Sequence, residues 1–306
     1  MHDDLAFAAE LGLNHVRFDA PWALAQPKAG ALDGGVMEAL AAAALEARRR
    51  GLQPWFRLLQ PSIPLWFDNE GGFTDAKNAG RWWPRWIEHV AASLGTVAAG
   101  WVPIEAPFGM VQRLAPDDPR TQGELCDTLT VAWRDAWRIL RGGPPVATSL
   151  DVAVERPTGP TQGHLDEARR REQLRWGLWL DGLAHGRVRI PGRADRELPD
   201  LAGACDVLGI AVSSDVAAAL DRCAEQGPER PLAITFRPLG TTDSECAQSI
   251  SGMWRDARVV ATSRAITSVT ATPFLDSPAQ AGGPTRLGLA TAERRVKDAG
   301  EAFLAG

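Results

Sequence analysis

A parallel (β/α) barrel is the architecture this sequence predicts, and three observations lead to it. Seven short apolar runs of strand length alternate with amphipathic helical stretches, and each run follows a helix. Such alternation implies a parallel sheet with its helices outside, either doubly wound or closed on itself. No G-x-G-x-x-G follows a strand and no G-x-x-x-x-G-K-[ST] occurs, which removes the main support for a dinucleotide or P-loop fold. The conspicuous polar residues stand at strand ends: Arg17 and Asp19, Gln60, Glu105, Asp151 and Glu155, Arg237 and Asp276. A barrel of the (β/α)8 TIM-barrel type displays its functional groups there, on the face made by the C-terminal ends of the strands.

The elements follow in order, many of the helices punctuated by glycine, which ends a helix at no steric cost. A helix over residues 4–11 stops at Gly12 and precedes a strand over 15–20. An alanine-rich helix over 35–50 stops at Gly51 before the strand 54–59. A helix over 79–94 leads to the strand 100–104, and one over 124–140 ends at Gly142-Gly143 before the strand 146–154. The helix 165–183, a loop-rich stretch and the strand 207–212 come next, followed by the helix 216–226 and the strand 232–236. A helix over 244–262, a strand over 267–274 and a helix over 291–304 complete a single barrel domain, 1–306.

Composition narrows the function classes. With 45% hydrophobic and 23% charged residues the chain is that of a folded protein, and a formal net charge of −5 gives no electrostatic footprint for nucleic acid. No apolar stretch reaches the roughly 18 residues of a membrane span, and Met1-His2-Asp3-Asp4 lacks the basic and apolar regions of a signal peptide, so the expected location is cytoplasmic. Cys126, Cys205, Cys223 and Cys246 have no C-x-x-C spacing and read as structural thiols. No histidine pair has metal spacing, so neither metal nor cofactor is expected. Twelve tryptophans, three of them in Trp82-Trp83-Pro84-Arg85-Trp86, could stack on sugars, but their helical setting favours core packing.

Several segments carry a resemblance. Arg17 and Trp22, the run Arg49-Arg50-Gly51-Leu52-Gln53-Pro54, and Gly71-Gly72-Phe73 are similar in order and wording to the family 1 glycoside hydrolases, the β-glucosidase family. So are Val207-Leu208-Gly209-Ile210, Pro231-Leu232-Ala233-Ile234-Thr235 and Arg286-Leu287-Gly288-Leu289. The resemblance implies a (β/α)8 barrel that begins at the helix before the family's second strand, an N-terminally truncated form with seven recognisable strands. It also implies an open edge that a partner or a second copy could cover. The family's insertion between its sixth and seventh strands is largely missing, which implies a more open mouth.

The family's catalytic wording is absent. Family members break the glycosidic bond with two carboxylates, about 5 Å apart in retaining enzymes. Here Ala106 stands where the resemblance places the acid/base Glu, with Glu105 on the preceding Asn position, and Phe236 stands on the nucleophile. Gln60 replaces a sugar-binding His, and Asp276-Ser277-Pro278-Ala279-Gln280 replaces the run after the last strand. Arg17 normally meets the nucleophile's charge, so it needs a new anion: Glu105, or a ligand carboxylate or phosphate. Arg237 could join it, while Gln60 and Asp276 are further candidates for ligand contact.

The expected function is therefore a β-glucosidase homologue without hydrolysis that binds a glycoside or other small molecule, an anionic one included. Two alternatives stand beside it. One is an active or repurposed hydrolase using Glu105 with a second strand-end carboxylate such as Glu155 or Asp276. The other is a structural or assembly protein.

Overall fold

The computed structural model of the chain describes residues 2–59, 62–276 and 287–306. Its barrel is built from β1 (His15–Asp19), β2 (Gln53–Leu59), β3 (Gly100–Ile104), β4 (Leu150–Asp151), β7 (Leu208–Val212), β8 (Leu232–Phe236) and β9 (Ile266–Ala271). An antiparallel hairpin of β5 (Arg187–Val188) and β6 (Arg196–Glu197) stands apart from them. All barrel pairings are parallel, in the order β1-β2-β3 and β4-β7-β8-β9. Parallel bridges from Trp101 to Val146 and from Ala147 to Val207 join the two groups. A seven-strand parallel wall results.

Helices cover its outside: α1 (His2–Glu10), α3 (Gly34–Arg49), α5 (Ala76–Leu94), α7 (Pro119–Leu140), α8 (Gln162–Glu172), α9 (Leu178–His185), α10 (Val216–Gln226), α11 (Asp243–Ala261) and α12 (Asp298–Leu304). Several begin on a side chain that satisfies the first free N–H groups. Asp33, Asp75 and Asp118 accept from the first turns of α3, α5 and α7, and Thr242 and Glu245 form a capping box on α11.

Two-residue alternation along each strand separates inside from outside. Trp55, Val102, Ala147, Val207 and Ala233 form a small apolar plug within the wall. Gly100 permits it: a Cβ there would lie 2.4 Å from the Trp55 ring. Between strands and helices lies a larger continuous core, in which Trp22, Phe67, Phe73, Trp83 and Trp86 are at most 1% exposed. Trp22 stacks on Trp86 at 5.8 Å, and the indole N–H groups of Trp83 and Trp86 donate to the carbonyls of Ala132 and Leu58. The tryptophan-rich run is therefore core.

The structure departs from the sequence expectation in four places. Short helices α2 (Trp22–Ala25), α4 (Leu65–Asn69) and α6 (Pro107–Leu114) follow the first three strands. These are too short for a periodic pattern to register. The helix expected over 165–183 is interrupted by a π-turn at Gln173–Gly177. The hairpin occupies the stretch expected to be loop. The last helix starts at Asp298 rather than residue 291, because Ala290 pairs with Leu275 and Val296 and keeps that segment extended.

Among the described residues, β1 pairs only with β2 and β9 only with β8. Near that edge α1 meets the segment after β9: the Phe7 and Phe274 rings are 5.7 Å apart, and Arg294 reaches Asp4 at 2.7 Å. Among the described residues, no helix is long and apolar enough to cross a membrane. All four cysteines are free and buried, and burial pushes the Cys126, Cys205 and Cys223 thiols up to about 12, which leaves them unreactive.

Candidate functional site

Because the barrel strands are parallel, their C-terminal ends share one face, and the polar residues noted in the sequence converge there above the apolar plug. Arg17 and Asp19 come from β1, Arg57 from β2, Glu105 from the residue after β3, Thr235 from β8 and Arg237 from the residue after it. Asp19 pairs in register with Arg57. The same alternation that points Trp55 into the plug points Arg57 toward the mouth.

Glu105 is the centre of the cluster. Its side chain is 9% exposed and accepts from three guanidiniums: Arg17 at 3.3 Å, Arg237 at 3.1 Å, and Arg57. Arg57 donates its remaining fork to both oxygens of Asp19, at 2.6 and 2.7 Å. Arg17 also reaches the Thr235 hydroxyl at 3.4 Å, and Thr235 lies 3.0 Å from Thr270. The three arginine side chains are between 24% and 28% exposed, so each keeps a face toward solvent.

Electrostatics follow from this arrangement. Burial opposes ionisation of Glu105, but the charges of Arg57, Arg17 and Arg237 outweigh it and bring the carboxyl down to about 2. Arg57, held by Asp19 and Glu105 against its own burial, is raised above its ordinary value, whereas burial lowers Arg17. Glu105 is thus ionised at neutral pH and has no proton to donate. Both its oxygens are occupied by N–H donors. The space between Glu105 and Asp19 holds the Arg57 guanidinium.

The other candidate positions lie in different surroundings. Ala106 adopts the left-handed conformation (φ 43°, ψ 62°) at the start of α6. Phe236 is fully buried but faces outward, edge-on to Trp254 and Phe303 on α11 and α12. The residues of that strand end that reach the interior are Thr235 and Arg237. Asp276 accepts from Lys297 at 2.9 Å and from the Gly288 N–H at 2.7 Å, which ties down the C-terminal segment. Asp151 and Glu155 are both clamped by Arg175 from the π-turn, with Arg171 3.3 Å from Glu155. Gln60 lies outside the described residues, as does the run from Ser277 to Gln280. Among the described residues, no group of three or more His, Cys, Asp or Glu side chains could hold a metal ion.

A cavity of about 600 Å³ lies elsewhere. Asp181 and His185 of α9, Arg189 and Asp195 between β5 and β6, and Glu225 of α10 line it. Arg189 pairs with Asp181 and Asp195 across it at 3.4 and 3.5 Å.

Sequence reasoning named Arg17, Glu105 and Arg237, which the structure brings together, but passed over Arg57 and Arg175. A signal for Arg57 was present: it is the one charge within the apolar run Pro54-Trp55-Phe56-Arg57-Leu58-Leu59, on the face of Trp55. Arg175 lies on a helical stretch and carries no such mark.

Neither protein-family models nor curated protein sequences give a match to this chain. Solved structures do. A β-glycosidase from Pyrococcus horikoshii is 18% identical, with a TM-score of 0.83 over 98% of this chain and 81% of its own. A psychrophilic β-glucosidase from Micrococcus antarcticus is 17% identical, with a TM-score of 0.84 over 99% of this chain and 84% of its own. A family 1 β-glucosidase from Thermotoga maritima is 14% identical, with a TM-score of 0.82 over 99% and 85%. At these identities the likeness establishes the fold: this chain has the (β/α) barrel of the family 1 β-glucosidases.

Proposed function

We propose that this barrel is a divergent family 1 glycosidase homologue that binds a small anionic molecule at its mouth and does not hydrolyse glycosides. One observation carries the reading: Glu105, the strand-end acid nearest the expected catalytic position, is captured by Arg17, Arg57 and Arg237. Hydrolysis with retention or inversion needs a protonated acid and a second free carboxylate. A carboxyl held at about 2 cannot be the first, and Asp19 and Asp151 in their arginine clamps are not available as the second.

The same cluster favours an anion. Three guanidiniums face two carboxylates, Glu105 and Asp19, which leaves one positive charge uncompensated. Arg17 and Arg237 retain solvent-facing donors in the planar geometry that suits a carboxylate or phosphate. Glu105 then acts as a fixed counter-ion that sets the angle of the guanidiniums, and Thr235 buttresses Arg17 from below.

Calorimetric titration with inorganic phosphate at low ionic strength tests this. The expected result is saturable binding that weakens with added salt and drops about tenfold in Arg237→Gln, the loss of one charge-assisted contact worth roughly 1.4 kcal/mol. Absence of binding, or equal binding by wild type, Arg17→Gln and Arg237→Gln, contradicts the proposal.

A further inference from the structure

The distribution of exposed apolar side chains around this site bears on what the anion is attached to. Nine large hydrophobic side chains are exposed among the described residues, and six of them follow the C-terminal ends of barrel strands: Leu24, Leu32, Leu65, Leu114, Val154 and Leu239. Isolated exposed leucines are ordinary, but these six share with the arginine cluster the face made by the C-terminal ends of the strands. Leu24 and Leu65, at 67% and 72% exposed, stand on the neighbouring short helices α2 and α4. These helices are joined by the Trp66 indole, which donates to the Gln26 carbonyl at 2.8 Å. Leu239, 60% exposed, is two residues beyond Arg237.

A recessed cation surplus, with exposed apolar side chains on the segments that follow the same strand ends, is complementary to a molecule with one anionic head and an apolar body. Resting on the anion site proposed above, we infer that the ligand is a monomeric amphiphilic anion, an alkyl or aryl phosphate, sulfate or carboxylate. Its head meets Arg17 and Arg237, and its body lies across Leu24, Leu65 and Leu239. A lipid bilayer fits less well. The chain carries a formal net charge of −5, and the positive charge sits within the ring of strands, where a single head group reaches it and a planar surface does not.

The test is a titration series of inorganic phosphate, methyl, butyl and octyl phosphate, each below its micellar concentration. Affinity is expected to rise by about twofold to fourfold per methylene, the upper figure being the roughly 0.8 kcal/mol of a fully buried CH2. The rise is expected to flatten in the double variant Leu65→Ser and Leu239→Ser, whose parent side chains are too exposed for folding to depend on them. Phosphate binding with no chain-length dependence in the wild type overturns this inference and leaves the anion site standing. Failure of phosphate and all the alkyl phosphates to bind overturns both. Sedimentation with phosphatidylglycerol vesicles, combined with a flat soluble series, overturns the inference by assigning the apolar rim to a membrane surface.

Discussion

Replacing Glu105 by glutamine lowers the stability of the fold by about 3–5 kcal/mol, because three guanidiniums lose the anion that holds them together in a largely buried site. Glutamine keeps the shape and one acceptor, so the loss reports charge rather than volume. On a chain of this size it lowers the thermal midpoint by on the order of 10 °C. The effect is pH-dependent with a definite sign. The folded carboxyl is depressed to about 2 from an unfolded value near 4.5, so its contribution is fully present above 4.5 and is lost as the pH falls toward 2. The gap between wild type and Glu105→Gln therefore closes over that window. The shift itself corresponds to on the order of 3 kcal/mol, in line with the mutational figure. Thermal melts of both proteins between pH 2 and 7 read this directly, and a gap that stays constant with pH contradicts the ion-pair account.

Trp83→Ala costs a similar amount, about 3–5 kcal/mol, for a different reason. The indole is fully buried, packs within 6 Å of Trp22 and Phe73, and ties α5 to α7 through its N–H on the Ala132 carbonyl. Removing it leaves a cavity between two long helices. Trp83→Phe refills most of that volume and is expected to recover more than half of the loss. The pair distinguishes packing from a sugar platform: an exposed platform tryptophan would leave stability within about 0.5 kcal/mol of wild type on truncation. Chemical denaturation of the two variants provides the comparison.

The fold was legible because its signals are local and repeated. Helix periodicity and apolar strand runs recur seven times, glycine stops close several of the helices, and each strand core lies within its expected stretch. Features that depend on three-dimensional context were not legible: α2, α4 and α6 are one to two turns long, and the π-turn that delivers Arg175 looks like ordinary helix in sequence. The site was legible in part. Glu105 and Arg237 directly follow strands and Arg17 falls on a position of the family resemblance, whereas Arg57 lies inside an apolar strand run. The sidedness of β8 was readable from its two-residue alternation, since Leu232, Ile234 and Phe236 form one face and Ala233, Thr235 and Arg237 the other. Family wording pointed to Phe236, while the alternation pointed to Thr235 and Arg237. The structure follows the alternation.

The central claim is that an arginine-captured carboxylate has replaced a catalytic pair, and turnover measures it most directly. Purified wild type and Glu105→Gln should be incubated with aryl β-glucosides at several pH values and the released aryl alcohol followed. The account predicts no release above the uncatalysed rate from either protein. Release by the wild type that Glu105→Gln abolishes would contradict it, since Glu105 would then be exchanging a proton that the three guanidiniums should hold off.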